Sequence, residues 1–173
     1  MATSIDPTAV IASSAQLGAD VTVGPYCIID DNVVIGDSVR LHSHVVIDGH
    51  TTIGDGCEIF PFAVLGARPQ HIRYNNEPSR LIIGKKCVIR EHVTMHPGTA
   101  IDAMETIVGN HGLFFAGAHV AHDCVVGDHV IFGRTNGRKR PGVVMKLNPA
   151  KAVIKDTNLG GKWRVPYSLM EVA

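Results

Sequence analysis

His119, His122 and Asp123, in the segment Ala118-His119-Val120-Ala121-His122-Asp123-Cys124, are the residues of this 173-residue chain whose types and spacing best suit chemistry. An imidazole with a carboxylate beside it can take a proton near neutral pH. The acid fixes the tautomer and stabilises the imidazolium that forms. The same HxxHD spacing also suits a pair of metal ligands, so the segment alone leaves both readings open. Ten histidines are present in all, and four cysteines without any CxxC pair.

Such side chains need a scaffold, and the scaffold is written as a repeat. Every sixth residue from Ile5 to Leu65 is Ile, Leu or Val. The series resumes at Ile83, Ile89 and Met95, then at Val108, Phe114, Val120, Val126 and Phe132. Four residues after each anchor stands a small or β-branched residue, as in Ala9, Val21, Cys27, Val45, Cys57, Cys87 and Cys124. Six is neither a helical period nor a strict alternation. Short strands, each ending at a corner, fit it. Three hexads closing a triangular coil stack every strand on its equivalent one turn later, about 4.8 Å away. The reading is all-β, a parallel β-helix whose small phase packs the four cysteines inward. Glycine often follows the anchor (Gly18, Gly36, Gly54, Gly84, Gly109) and is read as freedom for the turn. By phase, nine histidines point outward and His71 falls in an interruption of the repeat.

The repeat marks the organisation. Residues 1–133 form a β-helix domain with insertions near 66–82 and 101–107. Residues 134–173 form a divergent basic tail, disordered or a short helix. The net charge of 0 conceals this split: the tail holds 9 of the 16 basic residues, only Asp156 and Glu171 as acids, and no histidine. Nine basic residues spread over that length are not a nucleic-acid-binding module, so no nucleic-acid partner is expected. No apolar run approaches the roughly 18 residues of a membrane span. The opening residues Met1 to Asp6 lack the patterns of secretory and transit signals, which predicts a cytoplasmic location.

The segment AHVAHDCVVG resembles the active-site segment of the acyl-[acyl-carrier-protein]–UDP-N-acetylglucosamine O-acyltransferases, a hexapeptide-repeat family. VGPYCIID, SHVVIDGHTTIG, QHIRYNNEPSRLIIG and IREHVTMHPGT match the same family in order, so the resemblance runs from about residue 5 to residue 132. It implies a left-handed sense for the coil, which the spacing does not supply. It implies transfer of a 3-hydroxyacyl group from acyl carrier protein to the 3-hydroxyl of UDP-N-acetylglucosamine, the first step of lipid A biosynthesis. His122 then matches the general base and Asp123 its carboxylate partner. Gln70, His71, Arg73, His96 and His119 match substrate-contacting positions. Arg73 stands where lysine is common, and His71 where aspartate is often found. No metal or organic cofactor is implied, and a homotrimer is.

In the family more coils follow residue 132. They carry the oxyanion glycine, several nucleotide contacts and the residues that measure acyl length, and none maps onto residues 134–173. A chain truncated in this way is also readable as a catalytically inactive hexapeptide scaffold. A zinc carbonic-anhydrase-like protein is a third reading, and it requires three histidines around the metal.

Overall fold

The computed structural model describes residues 2–127 in full. Beyond them it describes the strands His129–Phe132, Arg140–Leu147, Lys151–Asp156, Lys162–Pro166 and Met170–Val172. Each hexad forms a strand of two residues, lengthened to four in places, followed by a corner. Every third strand joins the same sheet, giving three parallel six-stranded sheets. The first sheet runs from Ser4–Ile5 to Leu113–Phe114, the second from Val10–Ile11 to His119–Val120, and the third from Gln16–Leu17 to Val125–Val126. Register follows the repeat, with Ser4 opposite Thr22, Thr22 opposite Arg40 and Arg40 opposite Glu58, one turn being eighteen residues. The architecture is a left-handed parallel β-helix. Among the described residues no helix is long and apolar enough to cross a membrane.

The anchors fill the interior. Ile29, Ile35, Leu41, Ile47, Ile53, Ile59, Leu65, Ile83, Ile89 and Met95 are each no more than 2% exposed. Each such burial contributes about 1.5–3 kcal/mol relative to exposure. Small-phase residues Val21, Val33, Val39, Val45, Ala63 and Val93 line the inner corners. Cys27, Cys57 and Cys87 are buried, Cys124 is half-buried, and none of the four forms a disulfide among the described residues. Three of them donate to backbone carbonyls of the neighbouring coil: Cys27 to His42 (2.8 Å), Cys57 to Gly84 (3.1 Å) and Cys87 to Gly109 (3.2 Å). The hydrogen-bonding thiol of Cys87, followed by burial, pushes the Cys57 thiol far above its ordinary range.

The corners work differently from the reading of the glycines. The left-handed residue is the one just before the small position. Tyr26, Ser38, His44, Phe62, Lys86, His92, His111 and Asp123 all have φ between 54° and 64°. Each costs on the order of 1–2 kcal/mol for a non-glycine residue. Cross-coil hydrogen bonds offset this at many corners: the amide of His44 donates to Pro25 (2.9 Å) and that of Lys86 to Asp55 (2.8 Å). The glycines after the anchors are required by proximity, not by φ. A Cβ on Gly54 would lie 2.7 Å from the carbonyl carbon of Gly84, and one on Gly84 would lie 2.7 Å from that of Gly109.

Both insertions open at one corner, between the second and third sheets. The register step widens from eighteen residues to thirty at Val64 opposite Thr94, and to twenty-five at Thr94 opposite His119. The insertions span 66–79 and 96–104, not 66–82 and 101–107, because Arg80–Ile83 and Glu105–Val108 are already strands with Leu81 and Thr106 turned into the core. Phe132 keeps the hexad phase, yet His129–Phe132 does not extend the first sheet, whose last strand is Leu113–Phe114. It pairs antiparallel with Arg140–Leu147 and Met170–Val172. Lys151–Asp156 and Lys162–Pro166 complete this five-stranded sheet. The expectation of disorder or a short helix in 134–173 thus meets strands in the described segments, where Val143-Val144 and Val153-Ile154 supply β-branched pairs. Residues 134–139, the first of the expected basic tail, lie outside the described residues.

Candidate active site

His122 and Asp123 form the sixth turn's corner between the second and third sheets, directly after the strand His119–Val120. Asp123 occupies the left-handed corner position, with φ of 58°, a conformation that aspartate tolerates better than most residues. Its Oδ2 lies 2.8 Å from Nδ1 of His122. The carboxylate is held from the other side by Thr99, whose amide donates to Oδ1 and whose hydroxyl donates to Oδ2, each at 2.7 Å. Burial alone would push the Asp123 carboxyl upward. The Thr99 hydroxyl, His122 and the Thr99 amide together outweigh it and hold the group below the ordinary carboxylate range. Asp123 is therefore an ionised acceptor, so Nδ1–H of His122 is the donor of this bond, and the neutral form of that imidazole carries its lone pair on Nε2. With 30% of its side chain exposed, His122 is reachable.

Three more imidazoles gather here. His71, from the first insertion, meets the His122 ring edge-to-face, with centroids 5.2 Å apart and planes at 77°. His96 and His119 make a second such pair at 4.9 Å and 76°. His119 is fixed through Nδ1 by the Thr94 hydroxyl at 2.7 Å, its direct neighbour across the second sheet. His96 is only 6% exposed, and its Nδ1 is a buried polar atom with no hydrogen-bond partner among the described residues. Burial, followed by the nearby His119 and His122, lowers its pKa, so it stays neutral near pH 7.

The structure therefore brings together His71, His96, His119, His122 and Asp123 of the residues singled out from sequence. Gln70 and Arg73 lie exposed in the same insertion as His71, and neither side chain bonds to another described residue. Thr99 and Thr94 were missed. Thr99 falls four residues after Met95, on the small phase of the repeat, and only its place in the second insertion, against Asp123, reveals its role. Thr94 could have been found by laying the hexads in register, which puts it opposite His119. Among the described residues no group of three His, Cys, Asp or Glu side chains is arranged to hold a metal ion.

A left-handed parallel β-helix of six-residue repeats, with a histidine–carboxylate pair on one corner, is the architecture of a hexapeptide-repeat protein. Residues 32–67 match the family described as bacterial transferase hexapeptide (six repeats). Over 127 to 130 residues the chain is similar to proteins named acyl-[acyl-carrier-protein]–UDP-N-acetylglucosamine O-acyltransferase. It is 59% identical over 127 residues to the protein of that name from Pseudomonas paraeruginosa, covering 73% of this chain and 49% of the relative. It is 57% identical over 130 residues to the one from Cupriavidus taiwanensis, covering 75% and 49%. The crystal structure of UDP-N-acetylglucosamine O-acyltransferase from Moraxella catarrhalis superposes with a TM-score of 0.71 at 44% identity, over 72% of this chain and 48% of that one. The chain spans about half the length of the curated relatives it matches.

Proposed function

We propose that the protein transfers a 3-hydroxyacyl group from acyl carrier protein to the 3-hydroxyl of UDP-N-acetylglucosamine, the first step of lipid A biosynthesis. The observation that carries this reading is the His122–Asp123–Thr99 arrangement, on a chain whose relatives bear that activity in their names. Nε2 of His122 takes the proton of the sugar hydroxyl as its oxygen bonds to the thioester carbonyl carbon. The carbon–sulfur bond then breaks, and the carrier's thiol leaves with a proton. A thioester is already activated, so one oriented base and good positioning do most of what is required. Asp123 keeps His122 in the tautomer with Nε2 free and supports the imidazolium. His119, His96, Gln70 and Arg73 line the side on which the sugar nucleotide binds, Arg73 supplying a cation for its phosphates. Neither a metal nor an organic cofactor takes part. The working form is a cytoplasmic homotrimer with acyl carrier protein as donor partner.

The experiment is hydroxyacyl transfer from carrier protein to UDP-N-acetylglucosamine by the full chain, beside His122→Ala. Transfer by the native chain, reduced about 10²–10⁴-fold in the variant, is expected. Transfer that survives the substitution sinks the base. A second reading, an inactive hexapeptide scaffold, is favoured by one observation: His129–Phe132 pairs antiparallel instead of opening a seventh coil. No transfer by the native chain would establish it.

A further inference from the structure

On the reading just given, in which His122 is the base, we propose that His71 is a positioning residue that locks the His122 ring through a contact separate from its hydrogen bond to Asp123. Asp123 holds His122 at one atom, Nδ1, 2.8 Å away. A single hydrogen bond leaves the ring able to swing about that contact. The edge-to-face packing of His71, 5.2 Å between centroids and 77° between planes, supplies the second point of attachment. Such ring pairs are favourable at this separation and define an orientation, not only a distance.

The backbone that presents His71 is braced on both sides. Its amide donates to Pro69 (2.8 Å), and its carbonyl accepts from Tyr74 (3.1 Å). Tyr74 is held by the Arg68 guanidinium, which donates to its carbonyl (3.1 Å) and stands 5.8 Å from its ring centroid. The Tyr74 hydroxyl in turn donates to the Glu77 carbonyl (2.9 Å).

The test compares His71→Ala with His71→Phe in the full chain. The phenylalanine keeps a ring but cannot hydrogen-bond to substrate or hold a proton. In the transfer assay, kcat should fall about tenfold in His71→Ala and return to within about twofold of native in His71→Phe. By NMR, the order parameter of the His122 ring carbon–hydrogen vectors should drop in the alanine variant and stay near native in the phenylalanine variant. A phenylalanine variant as slow as the alanine one would overturn the proposal, as would His122 ring order unchanged by the loss of His71. The ring-order measurement needs no activity. An inactive native chain would thus refute the transferase reading while the role of His71 is still decided.

Discussion

At the corner between the first and second sheets, Tyr26, His44, Phe62 and His92 stack one per turn, with successive centroids 5.0, 5.0 and 5.1 Å apart. At the corner between the second and third sheets, His122 has a carboxylate at 2.8 Å and another imidazole on its flank. Both corners are built from the same hexad, and both place a residue in the left-handed conformation. What separates them is the added chain. The first corner is uninterrupted, so each ring meets only its equivalents one turn away. The second receives both insertions, and these bring Thr99 and His71 against the corner pair. A histidine on this regular corner is a stacking element, and one gains a carboxylate and a second imidazole as neighbours where the repeat is broken.

The largest expected difference is in transfer. His122→Ala should lose about 10²–10⁴-fold, whereas His44→Ala should stay within about twofold of native. Equal losses would erase the distinction between the corners. Next comes Thr99→Val, which removes the hydroxyl from Asp123 but leaves the amide in place. It should cost about 1.5–3 kcal/mol in chemical denaturation and slow transfer about tenfold.

The pH dependence of stability sharpens the same contrast. Asp123 has a folded-state pKa below its unfolded value, so its contribution is fully present above the unfolded value. That contribution is lost as pH falls from about 4 through the lower folded value. Urea midpoints between pH 2 and 6 should therefore fall more steeply for the native chain than for Asp123→Asn. Parallel profiles would mean that the carboxylate is not held as described. The smallest effect is expected from Phe62→Ala, which interrupts the exposed stack between His44 and His92. A loss of about 0.5–1 kcal/mol with transfer unchanged is the prediction, read by the same denaturation and assay.

Much of the coil was legible because the interior admits little else. One anchor and one small residue per hexad specify strand, corner and register together, and they place Cys27, Cys57 and Cys87 inside without further information. The role of the glycines was not legible, since a glycine needed for φ and one needed for close approach look alike in sequence. Only the 2.7 Å between a Cβ on Gly84 and the Gly109 carbonyl carbon separates the two cases. Of the site, His119, His122 and Asp123 stood out by type and spacing, and His71 and His96 through resemblance. Thr99 was hidden because the insertion carrying it has no period, and its contact with Asp123 spans twenty-four residues of chain. Phe132 misled for the opposite reason: its phase was right, but phase does not decide which strand a segment pairs with.

The register of the third sheet survives both insertions, with Ile35 opposite Ile53, Ile53 opposite Ile83, and Ile83 opposite Val108. Extra chain at that one corner is mechanically silent for the rest of the coil. A protein engineer could splice a foreign peptide there as into a socket, and natural variation could change what the molecule recognises by lengthening a loop without redesigning the shaft.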